Sequence, residues 1–539
     1  MQAMVLDGVV PYPDEFAERY REKGYWTGQT HSDLLFASAA DHADEVAVIA
    51  GDRRITYARL AADVSLLAGG FDALGIRRGD RVVVHLPNVP EFVEVVFALF
   101  DIGAIPVLAL ASHRRSEIEY FIEHTGARAY VTIDRHDGFD GAATAAELRE
   151  TQPTLEHTVI VSSHGGGTDL ARLMAGPALP RARRSLPEDV AFLQLSGGTT
   201  GRPKLIPRTH DDYLYSVRES DALCGVTDRT VQLVGLPISH NFTMSSPGIL
   251  GVLAAGGTLV LAANGTPDVA FPLIEEHRVT QAALVPSLAL AWLNSALRSR
   301  YDLGSLETIL VGGAKFSAAA ARRVGPELGC GLQQVFGMAE GLVNYTRRGD
   351  DEDTIVATQG RPISPDDEVR VVDDDDRDLP DGEEGHLLVR GPYTIRGYYR
   401  APDHNARSFT ADGFYRTGDV VRRDARGYLT VVGRSKDQIN RGGEKISPEE
   451  IENLILGHDA IHDVSVVGVP DESLGERTKA YVIRRDESDG QPSVLGLRRF
   501  LRDRGLAPYK IPDLIEFVTE FPLTGVGKTS KRDQRVKGR

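Results

Sequence analysis

The chain is 539 residues long, enough for more than one hydrophobic core, since single cores stop growing at roughly 250–300 residues. Its 42% apolar and 26% charged residues are those of a folded globular protein, which excludes disorder over any long stretch. A formal charge of −16 excludes the basic stripe of a nucleic-acid binder and the polybasic anchor of a membrane-surface protein, so an anionic ligand would have to be drawn by local cations and backbone N–H groups.

The opening MQAMVLDGVVPYPDEF has no basic segment followed by an apolar one, so no signal peptide is expected. No run approaches the ~18 apolar residues of a membrane helix, and a cytoplasmic protein is expected. Pro11–Lys23 reads as a polar helix. Thr56 precedes an amphipathic helix in which Leu60, Val64, Leu67, Phe71 and Leu74 recur on one face. Strands are predicted at Arg81–Leu86, Pro106–Leu110, Ala129–Ile133, Val231–Pro237, Thr258–Ala262, Gln281–Pro286 and Thr308–Gly312. Helices are predicted at Val89–Ile102, Val269–Arg278, Leu288–Ser299 and Ser317–Glu327, and an exposed loop at His164–Pro187. Strands alternating with helices imply doubly wound parallel sheets. From Gln359 to Val432 short strands separated by turns, including the acidic turn at Asp373–Gly385, predict antiparallel hairpins or a small barrel. After Asp437 a compact unit follows: helices Pro448–Leu456 and Val494–Arg504, with strands Val464–Val469, Lys479–Arg484 and Leu514–Phe517. The expected fold is therefore α/β: a large N-terminal domain, 1–435, with a β-barrel-like subdomain at about 345–435, and a small α+β domain, 436–539. Cys224 and Cys330 stand in no CxxC spacing and read as buried thiols of a reducing compartment.

The most informative segment is Ser196-Gly197-Gly198-Thr199-Thr200-Gly201-Arg202-Pro203-Lys204, placed after the apolar run Val190–Leu195. Three glycines permit close backbone approach, and hydroxyls with successive N–H groups can wrap phosphate oxygens. Lys204 adds a point charge. It is not a Walker A loop, because Arg202-Pro203 precedes Lys204 and Leu205 follows it. Without its neighbours it would read as a flexible Gly/Thr hairpin.

Four further segments follow in order: Phe336-Gly337-Met338-Ala339-Glu340-Gly341, Tyr415-Arg416-Thr417-Gly418-Asp419, Gly433–Ile439 with Arg441-Gly442-Gly443-Glu444-Lys445, and Pro522–Lys528. With the first segment, they make the chain resemble, over essentially its whole length, the adenylate-forming superfamily of acyl-CoA synthetases, adenylation domains and luciferases. The resemblance implies a mobile C-terminal domain and ATP with Mg²⁺ as cofactors. It implies ATP or AMP contacts from Ser196, Gly197, Gly198, Thr199, Thr200, Gly201 and Lys204, from the turn Gly312-Gly313-Ala314, and from Val335, Phe336 and Gly337. Asp419 would accept the ribose hydroxyls, Arg434 would add a ribose or phosphate contact, and Glu340 would support Mg²⁺, which suits a cation satisfied by one or two carboxylates plus phosphates. Lys528 would be the catalytic lysine bridging the carboxylate and the α-phosphate. Lys436 would be the hinge between two half-reactions, and Gly442-Gly443 would line a thiol tunnel. Alone, Asp419 would read as a turn aspartate, Glu340 as an acid at a helix start, and Lys528 as a solvated lysine.

Pro237-Ile238-Ser239-His240-Asn241-Phe242, followed by Ser245-Ser246-Pro247, lacks the aspartate expected of an amino-acid-activating member. With Val10-Pro11-Tyr12-Pro13, Gly24-Tyr25-Trp26 and Gln333–Thr346, it is similar to the stand-alone aryl acid ligases of siderophore biosynthesis. An aryl acid pocket of His240, Asn241, Phe242, Ser246, Gly337, Val343 and Lys528 is implied, with His240 near the carboxylate. Ser246 and Val343 point to 2,3-dihydroxybenzoate. Phe242, where tyrosine is frequent in dihydroxybenzoate enzymes, keeps salicylate close, and a hydroxylated heteroaryl acid stays open. The implied acceptor is the phosphopantetheine thiol of an aryl carrier protein in trans, with an aryl-CoA ligase and a non-catalytic nucleotide-binding homologue as the alternatives. No HExxH or GxSxG spacing points to a hydrolase.

Overall fold

The computed structural model describes the chain apart from residues 1–3, 5, 165–166, 183, 197–202, 442–443, 472–473, 486–491, 505, 507, 525–527 and 539, and gives the backbone alone at 436, 440, 444, 445 and 475. Two large sheets dominate. One has six strands in the order Leu205–Thr209, Val190–Leu195, Ile105–Leu108, Arg81–His85, Ala129–Ile133, His157–Val161. All its pairings are parallel except the first. The other has nine strands, with a parallel centre running Gly331–Gly337, Thr308–Gly312, Gln281–Leu284, Val231–Val234, Thr258–Leu261, Val46–Ala50 and antiparallel strands at both edges. The α/β architecture expected from the strand–helix alternation is what the chain adopts.

The helices between these sheets follow from local chemistry. Thr56 accepts a hydrogen bond from the Arg59 N–H at the start of helix Tyr57–Ala73, and Leu60, Val64, Leu67 and Phe71 are buried as the periodicity requires. Helix Pro90–Ile102 begins with proline, ends on left-handed Gly103, and is buried on every side. Its residues share one core with Val82 and Val84 of the six-stranded sheet and with Leu259 and Leu261 of the nine-stranded sheet. Asn88 ties the two sheets together by hydrogen bonds. Its amide donates to the carbonyls of Val234, Leu236 and Ala262 at 2.9–3.1 Å, and its oxygen accepts from Ile238 N–H at 2.8 Å. One side chain thus holds the turn that leads into His240.

A four-stranded antiparallel meander follows, formed by Glu368–Val372, Glu384–Arg390, Tyr415–Arg423 and Leu429–Arg434. These are the expected hairpins, and no pairing among the described residues closes them into a barrel. The acidic run 373–376 is a hairpin turn tied to Arg377, Arg416 and His386. The last sheet has five strands and a core of its own around Ile451, Ile455, Val466, Val482, Leu497 and Leu501. Lys436 lies in the 3₁₀ turn Ser435–Asp437 that connects strand Leu429–Arg434 to strand Ile439–Arg441. Gly442 and Gly443 lie outside the described residues.

Three expectations are corrected. Ser317–Glu327 is not one helix but two short ones, Ala318–Ala321 and Val324–Leu328, because Pro326 has no N–H to donate to the turn before it. The stretch His164–Pro187 contains helix Thr168–Met174, whose Leu170 and Leu173 are buried; the backbone of Leu173 passes Gly70 so closely that a Cβ there would meet its carbonyl. Helix Leu288–Ser299 starts at Pro286 and ends at Asn294, with a 3₁₀ turn after it. No helix among the described residues is long and apolar enough to cross a membrane.

Replacing Asn88 by alanine removes a side-chain hydrogen bond from three carbonyls and one N–H, of which the Val234 carbonyl keeps the Ala262 N–H at 3.0 Å. Asn88→Ala is expected to lower stability by about 2 kcal/mol, read from the midpoint of urea unfolding at unchanged slope.

Candidate functional site

Strands Val190–Leu195 and Leu205–Thr209 pair in antiparallel register, Leu195 opposite Leu205. Beyond them the glycine-rich loop is pinned at its mouth: Ser196 N–H donates to the Lys204 carbonyl at 2.9 Å, and Lys204 N–H donates to Ser196 Oγ at 3.1 Å. Gly197, Gly198, Thr199, Thr200 and Gly201 lie outside the described residues. The Lys204 ammonium stands 5.7 Å from the centre of the Tyr398 ring.

Tyr398 is a residue that motif reading does not single out. Its hydroxyl donates to Glu340 Oε1 at 2.8 Å and lies 2.9 Å from the Tyr415 hydroxyl. Burial, then the Glu340 charge, pushes the Tyr398 phenol far above its ordinary pKa, so it stays protonated and remains a donor. Glu340 is 8% exposed, and its carbonyl accepts from Ile395 N–H at 2.8 Å. No group of three or more His, Cys, Asp or Glu among the described residues could hold a metal by itself. A lone, braced carboxylate fits Mg²⁺ only if substrate phosphates supply other oxygens.

Asp419 and Arg434 face each other across neighbouring strands, and Arg434 Nε donates to Asp419 Oδ1 at 2.8 Å. Gly418, at φ 76°, turns the strand, and Thr417 Oγ1 accepts from Asp419 N–H at 3.0 Å. The two residues expected to meet a ribose separately thus form one ion pair, with the carboxylate buried and the guanidinium half-exposed.

Lys528 comes to this pair from the chain's tail. Thr524 and Lys528 bond each other twice, Thr524 N–H to the Lys528 carbonyl at 2.7 Å and Lys528 N–H to Thr524 Oγ1 at 3.2 Å. The lysine side chain then lies over Gly313, where a Cβ would sit 2.7 Å from its Cε and 3.2 Å from its Nζ. Gly313, at φ 88°, is therefore glycine for two reasons, its conformation and the lysine above it. Burial, followed by the nearby Arg434 cation, lowers the Lys528 ammonium to about 8, while Asp419 pulls the other way. The neighbouring His240 is lowered to about 3 by burial and by Lys528, so its imidazole is neutral at physiological pH. His240 caps the short helix Asn241–Ser245, with Nδ1 accepting from Phe242 N–H at 3.3 Å, which leaves its proton on Nε2.

Of the remaining expected residues, Phe242, Val335 and Val343 pack in one buried cluster. Asn241 Oδ1 accepts from the buried Tyr213 hydroxyl at 2.8 Å, which leaves the Asn241 amide N–H groups as its donor end. Phe242 packs against Gly312 and shares a cluster with Leu236, Ala283, Val335 and Val343. Gly337 is hemmed in by Leu342 O at 3.1 Å and Val343 atoms at 3.4 Å from any added Cβ. Val343 N–H donates to the Tyr393 hydroxyl at 3.0 Å, and that hydroxyl donates to Asp367 at 2.7 Å. Ser246 is buried, and Gly313 and Ala314 are exposed at the strand end. Strand alternation separates Val335 from Phe336, which points away from Phe242 and packs against the cluster holding Tyr398 and Tyr415. Tyr213, Tyr393 and Tyr398 carry no motif. Nothing in their local sequence marks them, because their partners Asn241, Val343 and Glu340 lie tens of residues away along the chain.

A family model described as AMP-binding enzyme matches residues 35–399, and one described as AMP-binding enzyme C-terminal domain matches 450–528. The chain is 55% identical to a 2,3-dihydroxybenzoate-AMP ligase of Bacillus subtilis over 98% of each chain. It is 45% identical to a Streptomyces protein named salicylyl-CoA synthase / salicylate adenylyltransferase over 99% of each. Among solved structures, that of apo MbtA from Mycobacterium smegmatis superposes with a TM-score of 0.75 at 42% identity, covering 99% of this chain and all of that one.

Lys528 is held below its ordinary pKa, so its protonated form is penalised in the folded state, fully below about pH 8 and progressively less as pH rises toward its unfolded value. Lys528→Met is therefore expected to stabilise the fold by about 1 kcal/mol at pH 7, after discount for solvent screening, with the gain narrowing above pH 8. Thermal denaturation of both proteins between pH 6 and 10 reads this directly.

Proposed function

The chain belongs to the AMP-binding enzymes, the adenylate-forming ligases, and from that premise we propose that it activates an aryl acid as the acyl-adenylate and passes the acyl group to a thiol. The observation that carries this reading is the meeting of the Lys528 ammonium with neutral His240 over Gly313, beside the wall of Asn241, Phe242 and Val343.

A carboxylate oxygen attacks the α-phosphorus of ATP, the bond to the bridging oxygen breaks, and pyrophosphate leaves. No proton moves, and the barrier is largely repulsion between two anions. Lys528 would contact both and offset the charge that builds between them, while His240 Nε2–H would donate to the carboxylate without adding a second cation. The loop Ser196–Lys204 would hold the β- and γ-phosphates, and Asp419 with Arg434 the ribose. Mg²⁺ would be held by Glu340 together with phosphate oxygens, and when bound it neutralises phosphate charge.

Asn241 amide donors suit an ortho phenol and Phe242 suits an aromatic ring. Buried Ser246 would bond a second hydroxyl, which with the name of the Bacillus relative supports 2,3-dihydroxybenzoate over salicylate. The acceptor we propose is the phosphopantetheine thiol of an aryl carrier protein in a siderophore-type pathway. The name of the Streptomyces relative makes CoA the acceptor to test against it. For that second step we propose two bodies, 1–435 and 436–539, with Lys436 as the hinge and Gly442-Gly443 lining the thiol's path.

Acid-dependent ATP–pyrophosphate exchange is expected with 2,3-dihydroxybenzoate and salicylate and not with amino acids. Lys528→Ala should remove most of it, and in the parent kcat/KM should fall as pH rises through about 8, where Lys528 loses its proton. Full exchange by the folded Lys528→Ala variant rejects the assignment. Lys436→Pro should spare exchange and slow thioester formation, measured with phosphopantetheinylated carrier protein and with CoA in parallel; equal loss in both half-reactions argues against a hinge.

A further inference from the structure

The strand that leaves the glycine-rich loop, Leu205–Thr209, carries an arginine where an apolar residue would be ordinary. Arg208 is 2% exposed, yet every arm of its guanidinium is engaged. Nε donates to Asp212 Oδ1 at 2.9 Å, Nη1 to the Ala339 carbonyl at 2.7 Å, and Nη2 to the Tyr393 carbonyl at 3.0 Å. Its flat face lies 4.7 Å from the centre of the Tyr213 ring. Asp212 is held in turn, its Oδ2 accepting from Thr209 N–H at 3.0 Å. A buried ion pair is poor stabilisation compared with apolar packing of the same volume, so stability alone gives little reason for one here.

What the guanidinium grips is informative. Ala339 directly precedes Glu340. Tyr393 opens the segment whose Ile395 N–H donates to the Glu340 carbonyl and whose Tyr398 hydroxyl donates to Glu340 Oε1. The two segments are pressed together at Gly341, φ 111°, where a Cβ would meet the Tyr393 carbonyl. One planar group therefore binds both backbone stretches that fix Glu340, and it does so from the strand continuous with the phosphate loop.

We propose that Arg208 is a positioning residue that sets the Glu340 carboxylate in register with Lys204, just before the strand that carries Arg208, so that both address the same Mg²⁺-bound triphosphate. The inference rests on the ligase reading above. Lysine cannot substitute, since a single ammonium cannot span two carbonyls and a carboxylate in one plane.

The test uses the full chain and two variants. Arg208→Lys keeps a cation against Asp212, and the double variant Arg208→Met with Asp212→Leu replaces the pair by apolar volume so that folding survives. ATP–pyrophosphate exchange is titrated with magnesium chloride at saturating aryl acid, and the Mg²⁺ dependence of ATP binding is read without turnover, by calorimetry in the absence of aryl acid. Half-saturation does not depend on how much protein is active, so a destabilised preparation still reports. In both variants the half-saturating Mg²⁺ concentration should rise about tenfold, as loss of a ligand's supporting partner typically does, while KM for the aryl acid changes less than about twofold. An unmoved Mg²⁺ half-saturation in either variant overturns the assignment, as does a parallel rise in the aryl acid KM, which would mark Arg208 as general support. Absence of exchange in the parent defeats the ligase reading itself and this inference with it, whereas a parent that exchanges normally beside unmoved variants defeats only the role of Arg208.

Discussion

A cation from the end of the chain lies over a glycine at the end of a central strand, and the rest of the site is arranged around that contact. Lys528 sits on Gly313 with Arg434 near enough to lower its pKa and Asp419 near enough to raise it. In a chain of net charge −16 this is a local cation held against the overall field. Desolvation makes the ammonium both costly to hold and effective when an anion arrives, because charge interactions strengthen as water leaves. The same burial keeps His240 neutral, so that one cation and one neutral donor share the space instead of two cations.

The surrounding wall is stiffened by tyrosines whose hydroxyls point inward. Tyr213 holds the Asn241 carbonyl, Tyr393 holds the Val343 N–H and Asp367, and Tyr398 holds Glu340. Each buries a large ring and engages its hydroxyl in one or two fixed hydrogen bonds. Their phenols are displaced upward by burial, so they stay uncharged and keep donating. Asn88 does a related task at longer range, setting the turn before His240 against both large sheets. Rigidity of this kind suits a pocket that must tell one hydroxyl pattern on a ring from another, since a hydroxyl discriminates strongly only where a fixed partner awaits it.

Much was legible in advance, and for a local reason. The alternation of apolar strands and amphipathic helices, the helix that follows Thr56 and the hairpin turns are encoded by residues close in sequence, and they appear in the expected order, with ends that shift by up to about five residues. The failures were also local. Pro326 interrupts an alanine-rich helix, and a seven-residue helix hides in a stretch rich in glycine and arginine. The expected site residues that the structure describes largely converge, with Phe336 turned to the other face by strand alternation.

By itself, the sequence determined the class of chemistry: a glycine and hydroxyl loop ending in Lys204, a lone glutamate after a glycine turn, an aspartate after Thr-Gly, and a lysine near the tail. Those are short patterns, and adjacency along the chain carries them. The tertiary structure alone decided which groups share a charge environment: that Asp419 pairs with Arg434, that Lys528 lies beside His240, and that Arg208 reaches the carbonyls flanking Glu340. Such pairings join residues far apart in the chain, and only packing of the sheets against one another sets the distances on which Coulomb and hydrogen-bond energies depend.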